Sequence, residues 1–229
     1  MRVGIPAPGD VDNPAAVLRR GALTAAPLLL GSVLRTRVGG AEVAVRLTEV
    51  EAYEGAGDPG SHAYRGMTAR NAVMFGPAGR LYVYFTYGMH HCVNVVCGGE
   101  GASSAVLIRA GEVVAGRDTA QGRRGPAAAR LPGYRMASGP ARLAQCLGLG
   151  LEHNGLELGG EDGVAGLGGL GAVSPSAIAQ GPRVGVAGPG GSSDFPWRFS
   201  IAGDPTVSPY RAAQRKRGRP GPGDAIRAD

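Results

Sequence analysis

Lysine is almost missing from this chain. Lys216 is the one lysine among 229 residues, and arginine supplies nearly all of the positive charge. Chemistry that runs through an amine, such as Schiff-base formation, is left with that residue and the α-amine of Met1. Arginine cannot replace them, because its guanidinium stays protonated. Cysteine is scarce as well. Cys92, Cys97 and Cys146 are an odd number without a disulfide framework, which favours a reducing compartment, most simply the cytoplasm. The longest apolar run, Ala25 to Gly31, is too short to cross a bilayer, so no membrane association is expected. The N-terminus lacks a basic-then-apolar signal pattern. A strand–helix–strand rhythm is absent too, which argues against a parallel sheet. His90-His91-Cys92 with Cys97 suggests a zinc site, but successive strand residues point to opposite faces, so no metal is expected there.

The residues that are present describe a globular chain. Apolar residues make up 43%, and the length suits one domain with a proper core. The net charge of +6 is unevenly placed. Residues 211–229 hold six basic and two acidic side chains, so this tail contributes +4 and residues 1–210 only +2. The tail is rich in proline and glycine and nearly free of large apolar groups. It reads as disordered, either a source of nonspecific phosphate affinity or a solvated end without a partner.

Local signals place the elements. Asn13-Pro14 is an N-cap followed by proline at the first helical position, with a helix over Ala15–Arg19 and a further segment to about Leu30. Val33–Val38 and Ala41–Val50 alternate and meet at Gly39-Gly40, a hairpin. Glu51 to Arg65 reads as a loop. Thr68 caps a short helix through Met74. Ala105–Ala110 is a strand, Val113–Ala120 a helix, and 121–133 a basic loop. Ser138–Leu147 is a capped helix and Gly159–Gly171 a flexible glycine-rich loop. Pro182–Val186 and Trp197–Ile201 are late strands. The fold class expected is α+β: a single domain with a curved, largely antiparallel sheet, surrounding helices and a protruding β-hairpin.

That hairpin is Leu81–Val96, turning at Tyr87-Gly88. Gly88 supplies the positive φ of a tight turn. Turn tips usually carry small polar residues. Here an aromatic, Tyr87, and an apolar Met89 stand at the tip, suited either to folding back onto the domain or to wedging into stacked bases. In Thr48–Tyr53, alternation puts Glu49, Glu51 and Tyr53 on one face. Arg109 ends an apolar strand and needs a carboxylate such as Glu51, or a phosphate. Asn94 lies inside a strand, where asparagine is disfavoured and needs partners or a ligand.

Thr48-Glu-Val-Glu-Ala-Tyr53, Asp58-Pro-Gly-Ser-His62, Thr68–Gly79, Leu81–Asn94 and Val106–Ala110, followed in order by Ser138–Leu143, Arg183–Val186 and Pro196–Phe199, resemble the alkyladenine (3-methyladenine) DNA glycosylase family over roughly residues 12–210. The resemblance implies a glycosylase domain that excises damaged purines from double-stranded DNA, works as a monomer and uses no cofactor. It implies Glu51 as the base that activates water for attack on C1′, with Arg109 holding that water. Tyr53 and His62 would sandwich the extruded base, with Tyr84 completing the aromatic wall, and Asn94 would crowd the exocyclic amine of normal guanine. Tyr87, beside Met89, would fill the gap left in the duplex. The scarcity of lysine then implies a monofunctional enzyme, with water as the nucleophile. Two rivals are weaker. A zinc-dependent base deaminase lacks its Pro-Cys-x-x-Cys pair. A noncatalytic nucleic-acid-binding module suits the basic tail and aromatic strands but leaves Glu51, Arg109 and Asn94 without a role.

Overall fold

A computed structural model describes residues 13–86, 88–159 and 163–213. The chain opens with two short helices, α1 (Pro14–Leu18) and α2 (Ala22–Leu29). Asn13 caps α1 by accepting the Ala16 N–H at 3.2 Å, and Pro14 stands at the first turn. Strands β1 (Val33–Val38) and β2 (Ala41–Tyr53) form the expected hairpin. Gly39 and Gly40 both have positive φ, 63° and 74°, as a two-residue turn between twisted strands requires. The next hairpin is β3 (Leu81–Thr86) and β4 (His90–Val96), followed by β5 (Ala105–Ala115) and α3 (Arg117–Arg124). Then come β6 (Ala137–Ser138), α4 (Pro140–Leu147), β7 (Ala165–Gly168), β8 (Ile178–Gly181) and β9 (Arg198–Ile201).

Among the described residues these strands make one nine-stranded sheet, with the path β3-β4-β5-β2-β1-β7 and every strand pair antiparallel. The architecture is the curled antiparallel α+β fold expected from the sequence. Strand β2 is its centre. It pairs with β5 along nearly its whole length. Its other edge is shared, with β1 taking Ala41–Arg46 and β9 taking Glu49–Glu51. Register shifts near Leu47–Val50 mark the bend where the partner changes. One sheet face is apolar. Val50, Ala52, Val106 and Ile108 are buried in the main core with Leu29 of α2 and Leu143 of α4. The opposite face carries the polar residues discussed below.

Several local expectations are corrected. Val113–Ala120 is not one helix: β5 continues to Ala115 because Val113 and Ala115 pair with β2, and α3 starts only at Arg117. The basic loop at 121–133 is partly helical, with α3 reaching Arg124 and a 3₁₀ turn over Pro126–Arg130. The Thr68–Met74 helix is a 3₁₀ turn at Ala72–Phe75. Thr68 is a donor there, its N–H binding Asn71 Oδ1 at 2.6 Å. The Glu51–Arg65 loop begins only after Tyr53. Gly159–Gly171 contains β7, which pairs with β1, while residues 160–162 fall outside the described ones. Pro182–Val186 is a loop, and the neighbouring strand is β8 instead.

Candidate active site

Strand register assembles the site. Tyr82 on β3 faces Asn94 on β4, Asn94 faces Leu107 on β5, Leu107 faces Glu51 on β2, and Glu51 faces Arg198 on β9. Residues in register across neighbouring strands present their side chains to the same face. One row across five strands thus carries an aromatic, an amide and a carboxylate, backed by the apolar core. Tyr84, Arg109, Glu49 and Tyr53, each two residues along its own strand, extend the same face.

Over this face lies a cavity of about 350 Å³. Its walls include Tyr53, His62, Tyr82, Tyr84, Asn94 and Arg109, closed on one side by the loop Val184–Ala187. The aromatic wall is interlocked. The His62 and Tyr84 rings meet edge-on at 4.6 Å, Tyr82 and Tyr84 lie 5.5 Å apart, and His62 Nδ1 is 3.1 Å from the Tyr82 hydroxyl. The Arg70 guanidinium stands 5.5 Å over the Tyr84 ring. Burial, with the Arg70 charge adding to it, lowers the His62 imidazole below the usual histidine range. Asn94 is buried and donates to the Tyr82 carbonyl at 3.0 Å, which satisfies part of its hydrogen-bonding capacity.

Glu51 is fully buried immediately behind the Tyr53 and Arg109 walls. Its carboxylate has three partners. The Tyr53 hydroxyl donates to Oε2 at 2.8 Å, the Val184 N–H donates to Oε1 at 2.7 Å, and Arg109 Nη1 lies 3.3 Å from Oε2. Burial, reinforced by the Glu51 charge, holds the Tyr53 hydroxyl well above the ordinary tyrosine range, so it remains a donor. Burial alone would lower Arg109, but the Glu51 and Glu49 carboxylates outweigh it and keep the guanidinium charged.

The site residues named from sequence therefore converge: Glu51, Tyr53, His62, Tyr84, Asn94 and Arg109 stand at or directly behind one cavity. Met89 is exposed at the hairpin tip beside Gly88, whose φ is 68°. Tyr87 lies outside the described residues. The sequence asks for a carboxylate such as Glu51, or a phosphate, beside Arg109; Glu51 is there at 3.3 Å, and Glu49 Oε1 is a second, shorter partner at 3.0 Å. Sequence reasoning passed over the pairing of Arg183 with Asp58, fully buried partners 125 residues apart. The unpaired appearance of an arginine between apolar neighbours was the available signal. Between Asp58 and Glu100 the chain carries no carboxylate at all, and this stretch supplies much of the cavity lining and both strands of the β3–β4 hairpin. Among the described residues no group of three or more His, Cys, Asp or Glu comes together to hold a metal ion. No helix among them is long and apolar enough to cross a membrane.

The chain that builds this tyrosine-walled cavity above a buried carboxylate is similar in sequence to a known class of protein. The sequence model of the methylpurine-DNA glycosylase family covers residues 16–205, which takes in every strand of the sheet. A Streptomyces avermitilis protein named as a 3-methyladenine DNA glycosylase is 52% identical over 202 residues, 87% of this chain and 92% of the relative. Relatives with the same name from Leifsonia xyli subsp. xyli and Frankia casuarinae are 50% and 47% identical, covering 82% and 86% of this chain and 88% and 92% of their own. The chain belongs to the methylpurine-DNA glycosylase family, hydrolases that act on the N-glycosidic bond of DNA.

Proposed function

We propose that this protein is a monofunctional glycosylase that flips an alkylated or deaminated purine out of duplex DNA and hydrolyses its glycosidic bond with a water activated by Glu51. The observation that carries this reading is the position of Glu51. It is a buried carboxylate held by Tyr53 and Arg109, which themselves line a purine-sized cavity, so the attacking water is assigned the space beside those two side chains. Glu51 takes the proton as the water oxygen bonds to C1′ and the C1′–N bond breaks, the base leaving with the bonding electrons, while Arg109 helps hold the water and the adjacent backbone. Tyr53, Tyr84 and His62 receive the extruded base. Stacking favours electron-poor alkylated purines, and a neutral His62 adds no repulsion to a cationic one. Asn94, held on the Tyr82 carbonyl, takes up room on the cavity floor and disfavours the extra exocyclic amine of guanine.

Unstacking a base costs a few kcal/mol, which Tyr87 with Met89 offsets by filling the gap. The carboxylate-free stretch 59–99 and its exposed arginines Arg65 and Arg70 suit the phosphates flanking the lesion. Residues 1–210 form the catalytic domain, and the basic tail adds nonspecific affinity. The enzyme works as a monomer in the cytoplasm without a cofactor. Because Lys216 is the chain's one lysine and is far from Glu51 in sequence, the product is an intact abasic strand.

Duplexes carrying hypoxanthine or 3-methyladenine test the whole reading. Free base should appear with an unbroken, alkali-labile strand, and borohydride should trap no covalent protein–DNA adduct. Binding without base release would leave a noncatalytic module. A stoichiometric trapped adduct would refute water as the nucleophile.

A further inference from the structure

Arg183 does not line the cavity, and nothing in the reaction uses it. It is nonetheless among the most enclosed side chains in the molecule, at 1% exposure. Its guanidinium makes a forked pair with Asp58, Nη1 to Oδ2 and Nη2 to Oδ1, both at 2.6 Å. Nη1 also donates to the Ala52 carbonyl at 3.0 Å, and Nε and Nη2 donate to the Gly190 carbonyl at 3.1 and 2.7 Å. Two stretches that are distant in sequence meet on this one group: the end of β2 with the loop after it, and the loop 182–191. Asp58 is itself tied down by accepting the N–H groups of Glu54 and Gly60 at 3.1 and 2.8 Å. Around the fork stand three rings: Tyr53 at 4.5 Å, Trp197 at 5.2 Å and Phe195 at 5.9 Å. The packing leaves no slack. A Cβ at Gly60 would run into the Arg183 guanidinium, and one at Gly190 would run into the Gly60 backbone.

Two of the three partners of Glu51 depend on this clamp. Tyr53, whose hydroxyl holds Oε2, has its ring against the guanidinium. Val184, whose N–H holds Oε1, is the next residue in the chain. The third partner, Arg109, is anchored separately on Glu49. We infer that Arg183, clamped by Asp58, is a positioning residue: it sets the Tyr53 hydroxyl and the Val184 amide on Glu51 and so orients that carboxylate for catalysis. This rests on Glu51 being the general base. A planar fork is needed because one group must reach two carboxylate oxygens and two carbonyls while stacking on a ring. Lysine offers the charge without that geometry.

The test is single-turnover release of hypoxanthine as a function of pH, normalised to folded protein, for Arg183→Lys, Gly60→Ala and, as a control, Glu51→Gln. Gly60→Ala keeps every clamp residue and presses chiefly on the guanidinium, with Val186 the next side chain it meets, so it serves if Arg183→Lys fails to fold. A misoriented base should slow release about 10–10²-fold. The acid limb of the rate profile should move to higher pH as the two donors on Glu51 loosen, and affinity for the lesion duplex should change less than threefold. A folded variant with the wild-type rate and acid limb overturns the inference. So does a loss that follows the melting temperature with the acid limb unmoved, which is what a purely structural clamp would give. The control separates the two claims. If Glu51→Gln still releases base, the reading of Glu51 fails. If it is inactive while the clamp variants behave as wild type, only the role of Arg183 falls.

Discussion

Glu49 and Glu51 stand two residues apart on one face of β2, both without exposed surface, yet their surroundings differ. Glu49 Oε1 receives Arg109 Nε at 3.0 Å and Arg198 Nε at 2.7 Å, and Oε2 receives the Ser208 N–H at 2.8 Å. Burial pushes its pKa up, but Arg109, Ser208 and Arg198 together bring it below the usual carboxylate range. Glu51 has one guanidinium, at the longer 3.3 Å, together with a hydroxyl and an amide, and all three partners come from residues that line the cavity. A carboxylate held between two arginines is a poor proton acceptor and a good anchor. One with a single, longer ionic contact, next to the reaction space, is placed to take up a proton from a water there. Strand alternation delivers both acids to one face, and only their neighbours separate the roles.

Breaking the Glu49 cage should have the largest effect on the fold. Glu49→Gln leaves one buried and one partly buried guanidinium group, Arg109 and Arg198, short of their counter-charge, a loss of roughly 3–5 kcal/mol, read as a lower Tm. A Tm within a degree of wild type would show that Glu49 is no anchor. The same cage sets an acid limit. A carboxylate with a lowered folded pKa contributes stability that is present above its unfolded value and lost as pH falls through the folded one. Wild-type stability should therefore drop as pH falls below the usual carboxylate range, and Glu49→Gln should flatten that drop.

On the Glu51 side, Asn94→Ser should sharpen the contrast by changing selectivity and leaving the fold alone. A smaller floor admits the guanine amine, and discrimination against guanine should relax by roughly 1–3 kcal/mol, about 10–10²-fold. Unchanged rejection of guanine in a release assay would remove Asn94 from specificity. The smallest effect expected is Arg70→Ala, which takes a positive charge away from His62. The imidazole should titrate closer to the ordinary histidine range by NMR, and an unmoved titration would assign its depression to burial alone.

Much of this was legible locally. The Asn13 cap, the Gly39-Gly40 turn and the Leu81–Val96 hairpin follow from turn chemistry and alternation, which need no distant partner. Alternation also placed Glu49, Glu51 and Tyr53 together. What was hidden depends on pairing across the fold. Val113–Ala115 is strand because β2 is there to receive it. Pro182–Val186 is a loop because Arg183 is pulled in by Asp58 and Gly190. Arg109 has two carboxylates because β2 bends beside it, and no local pattern distinguishes the anchor from the base.

The central claim is tested most directly by single-turnover release of hypoxanthine from duplex DNA by Glu51→Gln and Glu49→Gln side by side, at a temperature where both are folded. Glu51→Gln should lose about 10²–10⁴-fold in rate while keeping its affinity for the lesion duplex, and Glu49→Gln should lose less than about tenfold per folded molecule. Near-normal release by Glu51→Gln, or a larger loss in Glu49→Gln, would contradict the assignment of Glu51 as the base.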